Sequence, residues 1–173
     1  MSDADSDVLA AEFVGVSRRE LKEQLQRIEA CVDLLTTDQL WARRHETENP
    51  VGNLILHLRG NVRQWIVCGV GGRPDDRDRA AEFSARERLP ADRLLAPLRE
   101  TLAEADAVLG DLSIQDLMES RRIQGHQLTT LHAIYHVVEH FSGHVGQIIW
   151  ATKQATRQDL GFYRYLDRRS ADG

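Results

Sequence analysis

The spacing of apolar residues constrains this chain most. Through four long stretches they recur at three and four residues, the period of a helix packed along one side. The first runs from Val8 to Leu35, with Phe13, Val16, Leu21, Leu25, Ile28, Val32 and Leu35 on one face. The second opens at Asn49-Pro50, where Asn can cap and Pro suits a first turn whose N–H needs no partner. It continues to about Gly69, with Val51, Leu54, Ile55, Leu58, Val62, Trp65 and Ile66 inward. The third spans Ala91 to Leu109, with a stripe of Leu94, Leu95, Leu98, Leu102, Ala105 and Leu109, and Pro97 inside it allows a later start. The fourth spans Thr129 to Gln154, capped by Thr129 or Thr130. Four such helices within 173 residues predict one all-α domain, a four-helix bundle.

The connections are less regular. Thr37 to Trp41 reads as one helical turn capped by Thr37 or Asp38. Residues 72–90 have no periodicity and many charges, so they read as a long loop. It is long enough to cross over between the second and third helices, so a simple up-down order is not imposed. Residues 110–128 form another connection, with a short turn at Ile114 to Met118, and no strand stands out. Residues 1–7 are expected to fray. The tail from Leu160 to Leu166, with Phe162, Tyr163, Tyr165 and Leu166, is expected to dock on the bundle.

Composition narrows the setting. A net charge of −5 argues against phosphate-neutralising nucleic-acid binding. No apolar run of about 18 residues exists, so no membrane span is expected. The opening MSDADSD is acidic, unlike a signal or transit peptide. Cys31 and Cys68 lie far apart in helical stretches and read as buried thiols. These features fit a reducing, cytoplasmic setting.

The chemistry-bearing residues are histidines. His132, His136, His140 and His144 form a ladder at a strict spacing of four on the fourth helix. Imidazoles one turn apart can share an ion, but the ladder drifts by about 40° per step and spans about 18 Å along the axis, so only one adjacent pair can converge. Measured from a stripe of Leu131, Ile134, Val138, Phe141, Val145, Ile148 and Ile149, His132 and His136 point away and suit solvent. His140 and His144 wind onto the flank of the core face. His57, in the apolar context LILHLRGN, is the best third ligand, with Asn61 one turn further on the same side. His45 and His126 fall in connections and are weaker candidates. Gly143 and Gly146 bracket His144 at a cost in helix stability, which predicts a close approach there. Gln147 is placed to support the ligand pair.

At this point two motifs resemble a known family. The stretch HVVEHFSGHVGQI at 136–148 is similar to the last core helix of the DinB-like (YfiT-like) metalloenzyme superfamily, and NPVGNLILHLRGNVRQW at 49–65 to its second helix. The resemblance covers nearly the whole chain in helix order. It implies a four-helix bundle with a long crossover between helices 2 and 3. It also implies a divalent metal, often zinc or nickel, held by His57, His140 and His144. His136 matches a position that is often histidine without being the usual ligand. Family members with known activity include thiol-dependent S-transferases and a thiol-dependent isomerase, and homodimers are common.

Three neutral imidazoles leave an ion its full charge and an open position, the ligand count of a catalytic zinc site. A low-molecular-weight thiol or a water can take that position, so S-transfer to a small electrophile and hydrolysis are both chemically reasonable. The alternatives are a non-catalytic, structural metal site and an interaction module with His132 and His136 at a dimer face. Glu139 points about 100° from His140 and is not read as a base. Arg73, Arg77, Arg79, Arg86 and Arg88 can bind the carboxylates of a thiol, against the blander reading of a solvated loop.

Overall fold

A computed structural model describes residues 3–164. Helix α1 (Asp3–Val32) is followed by the single turn α2 (Thr37–Leu40) and by α3 (Val51–Val62). From α3 the chain continues as a π-helical stretch, Arg63–Val70. Next come the short α4 (Arg79–Ser84), α5 (Ala91–Gly110), the turn α6 (Ile114–Met118), the hairpin β1 (Ser120–Ile123) and β2 (His126–Thr129), and α7 (Thr130–Thr156). The all-α expectation holds, with one small two-stranded sheet added.

Four long elements make the bundle. Helix α1 packs on α5 and α7, and α3 packs on the same two. Cross-contacts fix the directions. Arg18 meets Asp106 and Arg99 meets Glu29, so α1 and α5 are antiparallel. His57 meets His140 and Trp65 meets His136, so α3 and α7 are antiparallel. Trp41, just before α3, donates to Leu89 just before α5, and Arg63 pairs with Glu104, so α3 and α5 are parallel neighbours. A parallel pair cannot be joined by a tight turn, which is why residues 71–90 run back along the bundle as a crossover. The core is apolar and fully buried at Ile28, Ile55, Leu58, Leu98, Leu109, Ile134, Phe141 and Ile148.

The element boundaries correct several expectations. Helix α1 starts at Asp3, so most of residues 1–7 is helical; Met1 and Ser2 lie outside the described residues. It stops at Val32, short of Leu35. Thr36, not Thr37 or Asp38, caps α2, in a box with Gln39. Pro50 occupies the cap position of α3 without a side-chain hydrogen bond, so Asn49 does not cap. Pro97 sits inside α5, which begins at Ala91 regardless. Thr129 caps α7 by accepting from the His132 N–H. Leu131 is not inward: Thr130, bonded by Arg121, takes the buried place in the first turn, and Val137 is buried beyond it. Phe162 packs on the core, while Tyr163 is largely exposed; both lie near the Arg27 guanidinium. Tyr165 and Leu166 lie outside the described residues.

The hairpin packs on the π stretch. Gln124 and Gly125 both have positive φ, the geometry of a tight two-residue hairpin turn. The hairpin buries Ile123 against Gly69, where a Cβ would stand 2.5 Å from the Ile123 Cδ1. Gly69 therefore lets a strand press against the widened helix. π-helical insertions recur near functional sites, and this one follows the helix that carries His57.

Candidate metal centre

His57 projects from the middle of α3, and His140 and His144 from successive turns of α7 facing it. The buried face of α7 runs through Ala133, Val137, Phe141, Val145 and Ile148. Measured from it, the ladder winds inward, as the drift predicts. His132 is exposed, His136 is half-buried, and His140 and His144 reach the seam with α3. His136 departs from the solvated reading because its ring lies on Trp65, with centroids 4.0 Å apart. His45 bonds Thr47 at the surface, and His126 is exposed on β2, so neither joins the site.

The three expected ligands come together. One nitrogen from each of His57, His140 and His144 lies within 4.8 Å of the others, close enough to hold a metal ion. His57 Nε2 and His140 Nε2 are 3.1 Å apart. Two nitrogens bound to one tetrahedral ion at ordinary Zn–N lengths stand about 3.3 Å apart, so this pair needs little adjustment.

The remaining ring nitrogens say which atoms are free to ligate. His57 Nδ1 lies 2.9 Å from Glu82 Oε2. A carboxylate can only accept, and although Arg77 Nη2 also stands 3.1 Å from Nδ1, it donates to the same Glu82 oxygen, so the contact favours a proton on Nδ1 and a lone pair on Nε2. His144 Nδ1 lies 2.9 Å from Gln147 Oε1, with the same consequence. Outer partners that fix the tautomer in this way are the usual companions of ligating histidines. His140 Nδ1 is buried without a protein partner, as are Asn61 Oδ1 at the end of α3 and Trp65 Nε1 in the π-helical stretch that follows it. On these grounds the donor set fits a divalent cation.

Burial disfavours the charged form of His140 and His144. Burial, together with the neighbouring His144, His57 and His136 and with Arg77, holds His140 down to about 3. His144 is lowered mainly by burial, against the Gln147 bond and Glu139, which favour its charged form. Burial likewise lowers His136. Neutral imidazoles are the ligating form.

Residues 72–90 supply what the sequence reading missed. Asp78 caps α4, which carries Glu82 into the bundle, 8% exposed. Arg77 holds both Glu82 oxygens, from Nε at 2.7 Å and from Nη2 at 2.9 Å. Its Nη1 donates to Gln64, which also bonds Asp75 and the hairpin residue Gln124. One polar chain thus runs from the hairpin tip through Gln64, Arg77 and Glu82 to His57. Burial alone would raise the Glu82 carboxyl, but Arg77 and His57 outweigh it and hold it below the usual carboxylate range. Gly60 makes the room: a Cβ there would fall 1.8 Å from Glu82 Oε1. Asn53, fully buried, ties the Glu82 and Ala85 carbonyls to α3. The signal available in sequence was Asp78 ahead of a turn of good helix formers, together with a glycine in mid-helix at 60.

The glycines read from sequence behave otherwise. Gly143 and Gly146 are exposed, and nothing lies within 4 Å of a Cβ built on either. They leave open surface beside His144 and no close approach. Of the loop arginines, Arg77 is committed to Glu82, Arg88 pairs with Asp38, and Arg79 covers the Phe83 ring. Glu139 is exposed, and both cysteines are free and buried.

An all-α bundle with three converging histidines between antiparallel helices is the class of molecule defined so far. The chain belongs to the family described as "Protein of unknown function (DUF1572)", whose sequence model matches residues 8–163. No protein of curated function matches the sequence. Among the described residues, no helix is long and apolar enough to cross a membrane.

Proposed function

We propose that the protein is a metal-dependent enzyme of the DinB-like (YfiT-like) kind, with a zinc or nickel ion held by His57, His140 and His144, and that it transfers a thiol sulfur to a small electrophile. The carrying observation is the convergence of three imidazoles, two of them oriented by Glu82 and Gln147. A bound divalent ion would supply Lewis acidity at the position these ligands leave free, favouring the thiolate form of a thiol there.

The chain's own residues support that reading in three ways. Burial pushes the thiols of Cys31 and Cys68 up, so neither is a ready nucleophile, and in this reading a separate molecule supplies the sulfur. His140 and His144 are only half-buried, and Gly143 leaves the adjoining surface open, which gives a small molecule access. Phe83, with its ring centroid 4.6 Å from that of His57, adds an apolar surface beside the first ligand.

The test is turnover. Metal-loaded protein incubated with a panel of low-molecular-weight thiols and a chromogenic electrophile is expected to consume thiol and electrophile one for one. Chelation or His144→Ala should abolish this. Ester hydrolysis without thiol consumption would replace S-transfer by metal-dependent hydrolysis. No turnover of either kind would leave the metal a structural role.

A further inference from the structure

A second cavity lies at the start of α3, away from the three histidines. It has a volume of about 560 Å³, and its lining includes Trp41, Arg43, Pro50, Asn53, Arg86, Arg88 and one carboxylate, Asp38. That volume is within the range of small-molecule sites.

Its charge is unusual for this molecule. Arg43 spends Nη1 on the Glu46 carbonyl, at 3.0 Å, and Nη2 on the Asn53 Oδ1, at 3.3 Å. Arg86 spends Nη1 on the Phe83 and Ala85 carbonyls, at 3.1 and 3.0 Å. All four partners are uncharged. Among the described residues no carboxylate stands within ion-pair reach of either guanidinium, and only Arg88 is neutralised, by Asp38 at 2.7 Å.

The cavity between α1 and α5 gives the contrast. It too is lined by basic residues, but its three arginines are all paired, Arg18 with Asp106, Arg99 with Glu29 and Arg19 with Glu12, and only Lys22 has no ion pair among the described residues. In a chain with net charge −5, two arginines held by neutral acceptors and facing one cavity are a local surplus of positive charge. A guanidinium fixed by carbonyls keeps its remaining N–H groups oriented, the arrangement that favours bidentate capture of a carboxylate or phosphate.

We propose that this cavity is an anion site, in which Arg43 and Arg86 bind the carboxylate or phosphate group of a small molecule beside the Asp38-paired Arg88. Trp41 and Pro50, both buried, give it an apolar wall for the body of such a ligand. The site uses none of the three histidines and stands or falls apart from the metal.

Calorimetric titration of the metal-loaded protein at low salt, with succinate in one arm and inorganic phosphate in the other, tests this. Saturable binding of at least one anion is expected, weakened about tenfold or more in Arg86→Gln and in Arg43→Gln, since a charge-assisted bond contributes at least that much. Lys22→Gln, in the α1–α5 cavity, should change nothing. Whichever anion binds tighter identifies the chemistry of the ligand. Arg86 is exposed, so its variant keeps the test valid if Arg43→Gln does not fold. The proposal is overturned if neither anion saturates by about 10 mM, or if binding is equal in wild type and Arg86→Gln. Metal content measured on the same samples separates this outcome from a failure of the metal reading.

Discussion

The two antiparallel seams of the bundle are built on different rules. Between α1 and α5 the polar contacts are surface ion pairs, and in Arg18–Asp106 the side chains are 39% and 52% exposed. Between α3 and α7, with the crossover pressed on α3, the polar groups are inside. Arg77 and Glu82 side chains are 5% and 9% exposed, and His57, Asn61 and Trp65 are buried with them. The first seam needs nothing beyond solvent to satisfy its charges. The second carries desolvated charge and unpartnered polar atoms that an apolar core would have avoided. Such a departure marks a site kept for chemistry.

The largest expected effect removes the centre of the buried network. Glu82→Ala leaves Arg77 charged and unpaired inside the protein, and a loss of about 3–5 kcal/mol is expected in urea unfolding. Asp106→Ala on the other seam should cost only about 0–1 kcal/mol, because solvent already screens that pair. Equal losses in the two variants would erase the distinction between the seams.

Acid comes next. A histidine in the unfolded chain takes its proton near 6.5, whereas His140 in the fold takes it only near about 3. The unfolded state therefore binds more protons between those values. The contribution is complete above about pH 6.5 and is lost as pH falls toward 3. Each ring so placed contributes at most about 1.4 kcal/mol per pH unit across that window. Chelator-treated protein should show a lower urea midpoint at pH 5 than at pH 7. An unchanged or higher midpoint at pH 5 would mean that these rings are not desolvated.

A smaller pair of changes concerns glycine. Gly60→Ala drives a methyl into Glu82 and should cost about 1–3 kcal/mol through overpacking. Gly143→Ala meets nothing and should stabilise α7 by up to about 1 kcal/mol. Thermal unfolding of both variants checks the opposite signs.

These contrasts also show what a one-dimensional reading can find. Helical periodicity located the four long elements, and the 40° drift of an i, i+4 ladder singled out His140 and His144. Both depend only on neighbours along one helix, as does the Gln147 bond to His144. Glu82 and Arg77 were hidden because their partners lie on another helix. In a charged segment without periodicity, nothing local separates a buried ion pair from a solvated one. Gly60 and Gly143 make the same point, since both are mid-helix glycines and only the packing of the crossover distinguishes them. The packing at Gly69 involves in turn a hairpin that arrives more than fifty residues later, with Ile123 seated on it.

Metal stoichiometry tests the central claim most directly. Protein purified without chelator, supplied with zinc or nickel and exchanged into metal-free buffer, is expected to retain about one ion per chain by elemental analysis. His140→Ala should fall to background while its circular dichroism stays helical. Wild-type protein with no metal above background, or a His140→Ala variant that keeps its ion, would contradict the assignment of His57, His140 and His144 as a metal centre.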